Sequence, residues 1–101
     1  MSASIMREIT VERSRQVVTE GFDRDHDDEH HKGELAQAAA CYALRAANFH
    51  GLAHDFWPWS DSWWKPYDTR RDLIRAAALI VAEIERLDRL ASKEPSDARR
   101  S

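Results

Sequence analysis

The apolar residues in the C-terminal third of the chain repeat with the period of an α-helix. The positions that follow this spacing are Leu73, Ala77, Ile80, Ile84 and Leu87. Side chains at such intervals lie on one helical face. Thr69 and Asp72 form a variant of the capping box, which predicts a helix from Thr69 to about Leu90. Residues 76–82 carry no charge, so we expect this helix to be covered on nearly every side.

Two other helices are predicted upstream. The first runs from residue 5 or 10 to residue 19, and its rough apolar stripe consists of Ile5, Ile9 and Val17. Gly21 supplies a left-handed stop after it. The second is rich in alanine and runs from about residue 26 to residue 47. Gly33 within it indicates tight packing, a kink or a later start.

These patterns predict an all-α fold, since strand-like alternation is absent. The 101 residues suffice for one domain. We expect a three-helix domain over residues 1–91, a flexible polar tail over residues 92–101, and a long aromatic loop between the second and third helices. Two companion helices hardly cover so apolar a third helix. The sequence therefore predicts a homo-oligomer, most simply a dimer that pairs the third helices.

The loop between the second and third helices spans residues 48–68 and is strongly aromatic. Its aromatic residues are Phe49, Phe56, Trp57, Trp59, Trp63, Trp64 and Tyr67. One interpretation is a hydrophobic lid folded over a small core. The other is a stacking wall for a nucleobase, or a patch that binds a partner protein. The second interpretation makes Trp57, Trp59 and Trp64 candidate ligand contacts.

Composition excludes several classes of protein. Charged residues make up 33% of the chain and the formal net charge is −3, which argues against nonspecific nucleic-acid binding. The single cysteine, Cys41, forms no intrachain disulfide and predicts a buried, reduced thiol in a cytoplasmic protein. No apolar run reaches about 18 residues and no signal-peptide pattern is present, so neither secretion nor a membrane span is expected.

The segment from Asp25 to Glu34 carries the most distinctive polar pattern, with three histidines and five carboxylates. His26, His30 and Glu34 are spaced i, i+4, i+8 and share one helical face. Such a stripe suits a divalent metal, Mg²⁺, Mn²⁺ or Zn²⁺, with open positions for water or phosphate. The candidate ligands are His26, Asp27, Asp28, His30, Glu34 and, from the opposing third helix, Glu83. The alternative is a solvated helix cap.

Three cations lie near the start of the third helix. Arg70 and Arg71 occupy its first turn and Lys65 precedes it. Together with the free N–H groups of a helix N-terminus, they form a candidate phosphate-binding site. The alternative is surface pairing of the arginines with Asp68 or Asp72.

The chain also resembles a family of small phage and prophage proteins, over about residues 12–89. The residues that carry this resemblance are Glu12, Gln16, the segment 20–23, His26, Asp27, Asp28, His30, and the segments 33–36, 57–59, 64–66, 70–73 and 82–88. The resemblance implies a bacterial cytoplasm and a virus-encoded accessory role.

A more distant similarity is to the all-α nucleoside triphosphate pyrophosphohydrolases of the MazG kind. Those proteins are helical oligomers that hold magnesium through Glu-x-x-Glu on one helix and Glu-x-x-Asp on the next. The corresponding residues here are spaced differently, because Asp28 and Glu34 lie six apart and Glu83 and Asp88 five apart. The similarity implies a metal-dependent pyrophosphohydrolase.

Three hypotheses for function follow. The first is an accessory protein that binds a nucleotide-type ligand or a host protein without turnover, for example to counter host defence. The second is a metal-dependent nucleotide hydrolase that splits a pyrophosphate bond with a metal-bound water. The third is an architectural oligomer. Whether the protein is an enzyme stays open at this point.

Overall fold

The computed structural model describes residues 2–92, and the regular structure in that range is helical. The helices are α1 (Ala3–Glu20), α2 (Arg24–Glu29), α3 (Glu34–Ala46), α4 (His50–Asp55) and α5 (Thr69–Ser92), with a 3₁₀ turn at Asp61–Trp63. The predicted all-α class is confirmed, although the described residues form five helices rather than three. The predicted tail over residues 92–101 lies outside the described residues, apart from Ser92.

Two glycines set the ends of the N-terminal helices. Gly21 caps the end of α1 with a φ of 74°, which confirms the predicted left-handed stop. Gly33 has a φ of 87° directly before α3, a conformation that costs a residue with a side chain more than it costs glycine. The predicted second helix is therefore two helices, and the later start at Glu34 is the correct alternative.

The cap of α5 differs by one residue from the prediction. The helix begins at Thr69 as expected, but the Arg71 N–H donates to Asp68 Oδ1 at 2.7 Å. In return, Asp72 Oδ1 accepts from the Tyr67 N–H at 2.7 Å. Asp68 is thus the capping residue, because its carboxylate accepts from the third helical N–H.

The core lies between α3 and α5, which run antiparallel. Arg75, near the start of α5, stacks over Tyr42 near the end of α3, whereas Arg86 lies near Glu34 at the start of α3. The buried residues of this core are Phe22, Leu35, Ala38, Ala39, Cys41, Tyr42, Trp57, Ala76, Leu79 and Ala82. The many alanines let the two helices approach closely. Cys41 is buried as predicted, and burial raises its thiol pKa to about 11.

Helix α1 packs mainly through polar residues, and the predicted apolar stripe is only partly buried, since Ile9 and Val17 are half-buried and Ile5 is 37% exposed. Its buried side chains are Glu12, Gln16 and Glu20, at the spacing i, i+4, i+8, whereas Val11 and Val18 are exposed. Arg15 donates to both buried carboxylates, at 2.7 Å and 2.6 Å. The two carboxylates tolerate burial because this guanidinium pairs with both of them.

The aromatic segment between α3 and α5 is not one continuous loop. Helix α4 and the 3₁₀ turn lie within it, and Trp57, Trp59 and Trp64 pack against the α3–α5 core. The Trp57 indole also contacts the other two, with ring centroids 5.3 Å apart for Trp57 and Trp59 and 4.7 Å for Trp57 and Trp64. This packing is the arrangement expected of a lid over the core.

Within residues 2–92, no helix combines the length and the apolar character that crossing a bilayer requires.

We predict that Leu79→Ala lowers the free energy of unfolding by about 2–5 kcal/mol, because it leaves a cavity between α3 and α5. Leu79 is 1% exposed, whereas Leu52 on α4 is 47% exposed and supplies a matched control. Urea denaturation followed by circular dichroism measures both variants. Equal losses for Leu79→Ala and Leu52→Ala would contradict the packing described for α5.

We predict that Tyr42 ionises late on alkaline titration. Burial raises the pKa of its phenol to about 12, against about 10 for an ordinary tyrosine. The stability that the neutral phenol contributes is complete below pH of about 10 and is lost as the pH rises through about 12. Tyr67→Phe leaves Tyr42 as the single tyrosine, so phenolate absorbance reports it alone. A midpoint near pH 10 in the folded variant would contradict its burial.

Candidate functional site

A cavity of about 320 Å³ lies where the end of α1, helix α2 and the 3₁₀ turn meet. Its lining consists of Glu20, Phe22, His26, His30, Trp59, Ser60 and Trp63. The volume falls at the lower end of the range of small-molecule sites. The structure therefore brings two of the three residues of the predicted stripe, His26 and His30, together with one predicted tryptophan, Trp59.

Aromatic rings form a continuous wall around this cavity. The Phe22 ring stacks on the His26 imidazole with centroids 4.5 Å apart and planes 12° apart. Trp59 lies 5.4 Å from Phe22 and 5.0 Å from the His30 ring. Trp63 completes the wall, 6.0 Å from Phe22. A planar ligand that enters the cavity would therefore meet ring faces and edges on several sides.

The two histidines of the cavity face each other through the same ring nitrogen. His26 Nε2 and His30 Nε2 are 3.1 Å apart. His26 lies in α2 and His30 is the residue that caps its end. Each Nδ1 atom points to a carboxylate, since His26 Nδ1 is 3.1 Å from Asp27 Oδ1 and His30 Nδ1 is 3.4 Å from Glu34 Oε2. Because an ionised carboxylate only accepts, each of these contacts is a hydrogen bond in the tautomer that carries its proton on Nδ1.

Other groups hold the two carboxylates in place. Asp27 is 0% exposed, and its second oxygen accepts from Arg13 Nη2 at 2.5 Å. Arg13 also donates to the backbone oxygen of Phe22 at 2.8 Å. Glu34 Oε1 accepts from the Lys32 N–H at 2.6 Å. Burial alone would raise the pKa of Glu34, but backbone N–H groups and His30 hold it below its usual value.

The remaining predicted metal ligands pair with arginines. Asp28 Oδ1 accepts from Arg89 at 2.8 Å, and Glu83 accepts from Arg86 at 2.7 Å and 3.0 Å. The Glu83 hydrogen bond, followed by the nearby charges of Asp28 and Glu34, raises the pKa of Arg86. Guanidinium groups thus balance the acidic cluster. Within residues 2–92, no three His, Cys, Asp or Glu side chains are arranged to hold one metal ion.

The predicted phosphate-binding cations are not gathered at one place. Arg70 forms a two-armed ion pair with Glu8 of α1, at 2.7 Å and 2.5 Å, and this hydrogen bond lowers the pKa of Glu8. Arg71 is exposed, and its backbone N–H donates to Asp68. Lys65 lies with Nζ 5.7 Å from the centroid of the Trp63 ring, which lines the cavity. Of the three predicted cations, Lys65 is therefore the one that contacts a residue of the cavity, namely Trp63.

A second, more open cavity of about 380 Å³ has a different character. It is lined by Arg13, Arg24, Glu85, Asp88 and Arg89. These side chains carry both signs of charge and include no aromatic ring. The aromatic cavity is the better candidate site, because ligand pockets combine apolar walls with a few polar groups.

Sequence reasoning missed several residues of the aromatic cavity, namely Glu20, Phe22, Ser60 and Trp63. One signal was present, since Phe22 precedes His26 by four residues and His30 by eight. Phe22 thus has the same four-residue spacing as the predicted ligands His26 and His30, and this spacing was the signal in the sequence. Glu20 carries no such signal, because its burial depends on the packing of α1.

Comparisons of the chain with protein-family models, with curated proteins and with solved structures found no match. The function is therefore inferred from the geometry of the site.

Proposed function

We propose that the protein is a binding module that holds the base of a nucleotide-type ligand in the aromatic cavity. The observation that supports this proposal is the ring of Phe22, Trp59 and Trp63 around a space of about 320 Å³. Base–aromatic stacking contributes about 1–3 kcal/mol per base. Within the phage setting that the resemblance implies, such a module would sequester a nucleotide signal.

Polar groups at the cavity suit a base and a phosphate. Glu20 is held by Arg15 at 2.6 Å, and its carboxylate accepts hydrogen bonds of the kind that the N–H edge of a base donates. We assign the phosphate first to Lys65, which lies beside Trp63. Arg70 and Arg71 are the less favoured phosphate contacts, because Arg70 is already paired with Glu8.

We predict that Trp63→Ala weakens nucleotide binding about tenfold or more, since it removes one stacking surface. Trp63 is partly exposed, so its loss leaves the core intact. Phe49→Ala is the control, because Phe49 is a comparably exposed aromatic residue and does not line the cavity. Calorimetric titration with a panel of nucleoside mono-, di- and triphosphates measures binding.

Two results would contradict this proposal. One is the absence of binding across the panel. The other is wild-type affinity in the folded Trp63→Ala variant, which would place the ligand elsewhere.

The alternative function is a metal-dependent nucleotide pyrophosphohydrolase of the MazG-like type. The paired imidazoles of His26 and His30 favour it, whereas the arginine partners of Asp28 and Glu83 do not. We therefore rank binding without turnover first. Release of pyrophosphate from nucleoside triphosphates in the presence of Mg²⁺, Mn²⁺ or Zn²⁺ would reverse this order.

We also propose that the protein assembles as a homodimer through α5. The side chains Leu73, Ile80, Ile84 and Leu87 are about half exposed on one face. With Ala77 between them, their spacing alternates between four and three residues, which is the pattern of a two-helix seam. Arg71 lies near one end of this seam and Asp88 near the other, so these opposite charges meet when two copies pair antiparallel.

We predict that Ile80→Asp converts the dimer to a folded monomer, because it buries an unpaired carboxylate in the seam. Val18→Asp is the control, since Val18 is 84% exposed on α1 and lies off the seam. Analytical ultracentrifugation measures the mass. A wild-type species of 11.7 kDa at micromolar concentration would contradict the dimer. The apolar face of α5 would then be a candidate surface for binding a host protein.

A further inference from the structure

The two cavity imidazoles present an electrostatic problem that a bound cation would solve. Both Nδ1 atoms face carboxylates, at 3.1 Å in His26 and 3.4 Å in His30. A neutral imidazole that carries its proton on Nδ1 has a lone pair on Nε2. When both imidazoles are in this tautomer, two lone pairs face each other across 3.1 Å. Either a proton or a metal ion shared by both nitrogens removes this repulsion.

We propose that His26 Nε2 and His30 Nε2 are two ligands of one late first-row divalent metal ion, Zn²⁺ or a neighbour such as Ni²⁺ or Cu²⁺. A Zn–N bond is about 2.0–2.1 Å long, so two imidazoles on one ion have nitrogens about 2.9–3.4 Å apart, depending on the angle between the bonds. The observed separation of 3.1 Å lies in this interval.

The surroundings of the pair match those of histidines that bind metals. Such histidines usually donate their other N–H to a carboxylate, which fixes the ring and makes the free nitrogen more basic. Asp27 and Glu34 take this role here. Each is anchored in turn, Asp27 by Arg13 at 2.5 Å and Glu34 by the Lys32 N–H at 2.6 Å. The orientation of both imidazoles therefore depends on the two carboxylates and on the groups that hold those carboxylates in place.

The coordination would remain open on the cavity side. Across residues 2–92, no third His, Cys, Asp or Glu completes a ligand set, so water or an incoming ligand atom fills the other positions. Two imidazole nitrogens suit Zn²⁺, Cu²⁺ or Ni²⁺ better than Mg²⁺, which prefers oxygen. The site thus differs from the carboxylate-rich one expected from the sequence, and it does not depend on the nucleotide proposed above.

The test uses the full chain without a polyhistidine tag. We expect calorimetry to show one Zn²⁺ per chain, and Cu²⁺ to quench tryptophan fluorescence, since the Trp59 ring lies 5.0 Å from the His30 ring. His26→Ala and His30→Ala should each weaken binding about tenfold or more. The matched control is the double variant His50→Ala/His54→Ala, because these histidines are also spaced i, i+4, on α4.

A second measurement keeps the proposal testable if a histidine variant unfolds. Proton–nitrogen correlation spectra of the wild-type protein should show Zn²⁺ shifting Nε2 of both residues while each Nδ1 keeps its proton. A hydrogen bond between the two imidazoles only, with no change on adding Zn²⁺, would overturn the proposal. So would loss of binding in the α4 double variant with retention in His30→Ala.

The variant Glu34→Ala tests whether the carboxylate that contacts His30 Nδ1 contributes to metal binding. Because Glu34 orients His30 without being proposed as a ligand, its loss should weaken Zn²⁺ binding about tenfold while the stoichiometry stays at one. Unchanged affinity would show that the carboxylate does not position the imidazole and would contradict this part of the proposal.

Discussion

The buried ion pair between Arg13 and Asp27 connects the elements on which the candidate site depends. Asp27 is fully buried, and a buried carboxylate without a partner costs several kcal/mol, about 3–5 when one member of such a pair is removed. The same guanidinium donates to the Phe22 backbone oxygen and to Glu85 on α5. One side chain therefore holds α1, the turn after it, α2 and α5 in a common arrangement, and the His26 ring takes its orientation from Asp27.

Polar packing of α1 explains why so much apolar surface remains uncovered. A helix that buries Glu12, Gln16 and Glu20 leaves Val11 and Val18 outside. Helix α5 uses its inner face against α3 and α1, so Ile80 and Ile84 stay half exposed. Exposed apolar stripes of this kind mark interaction surfaces. The buried charges of α1 contribute orientation rather than strong stabilisation, because desolvation offsets much of their attraction.

The candidate site combines a short capped helix with a lid. Helix α2 has only six residues, but the Asp23 side chain caps its start and Gly33 ends the turn that follows it. The opposite wall comes from Trp59 and Trp63, about thirty residues later in the chain. Trp59 is fixed by contact with the core, whereas Trp63 is more exposed. The imidazoles are therefore held by several contacts, and Trp63 is the more exposed wall of the cavity.

Local patterns in the sequence determined the helical class, the stop at Gly21, the start of α5 and the shared spacing of His26 and His30, because each depends on residues a few positions apart. The tertiary structure alone decided which residues on one face of α1 are buried. Ile5 and Ile9 share that face with Glu12 and Gln16, but the two polar side chains are the buried ones, and Arg15 pairs with Glu12. It also decided the pairing of charges. Arg70 meets Glu8 across 62 positions and Arg89 meets Asp28 across 61. A guanidinium is attracted by any nearby carboxylate, so the sequence offers many equivalent partners and only the folded chain selects among them.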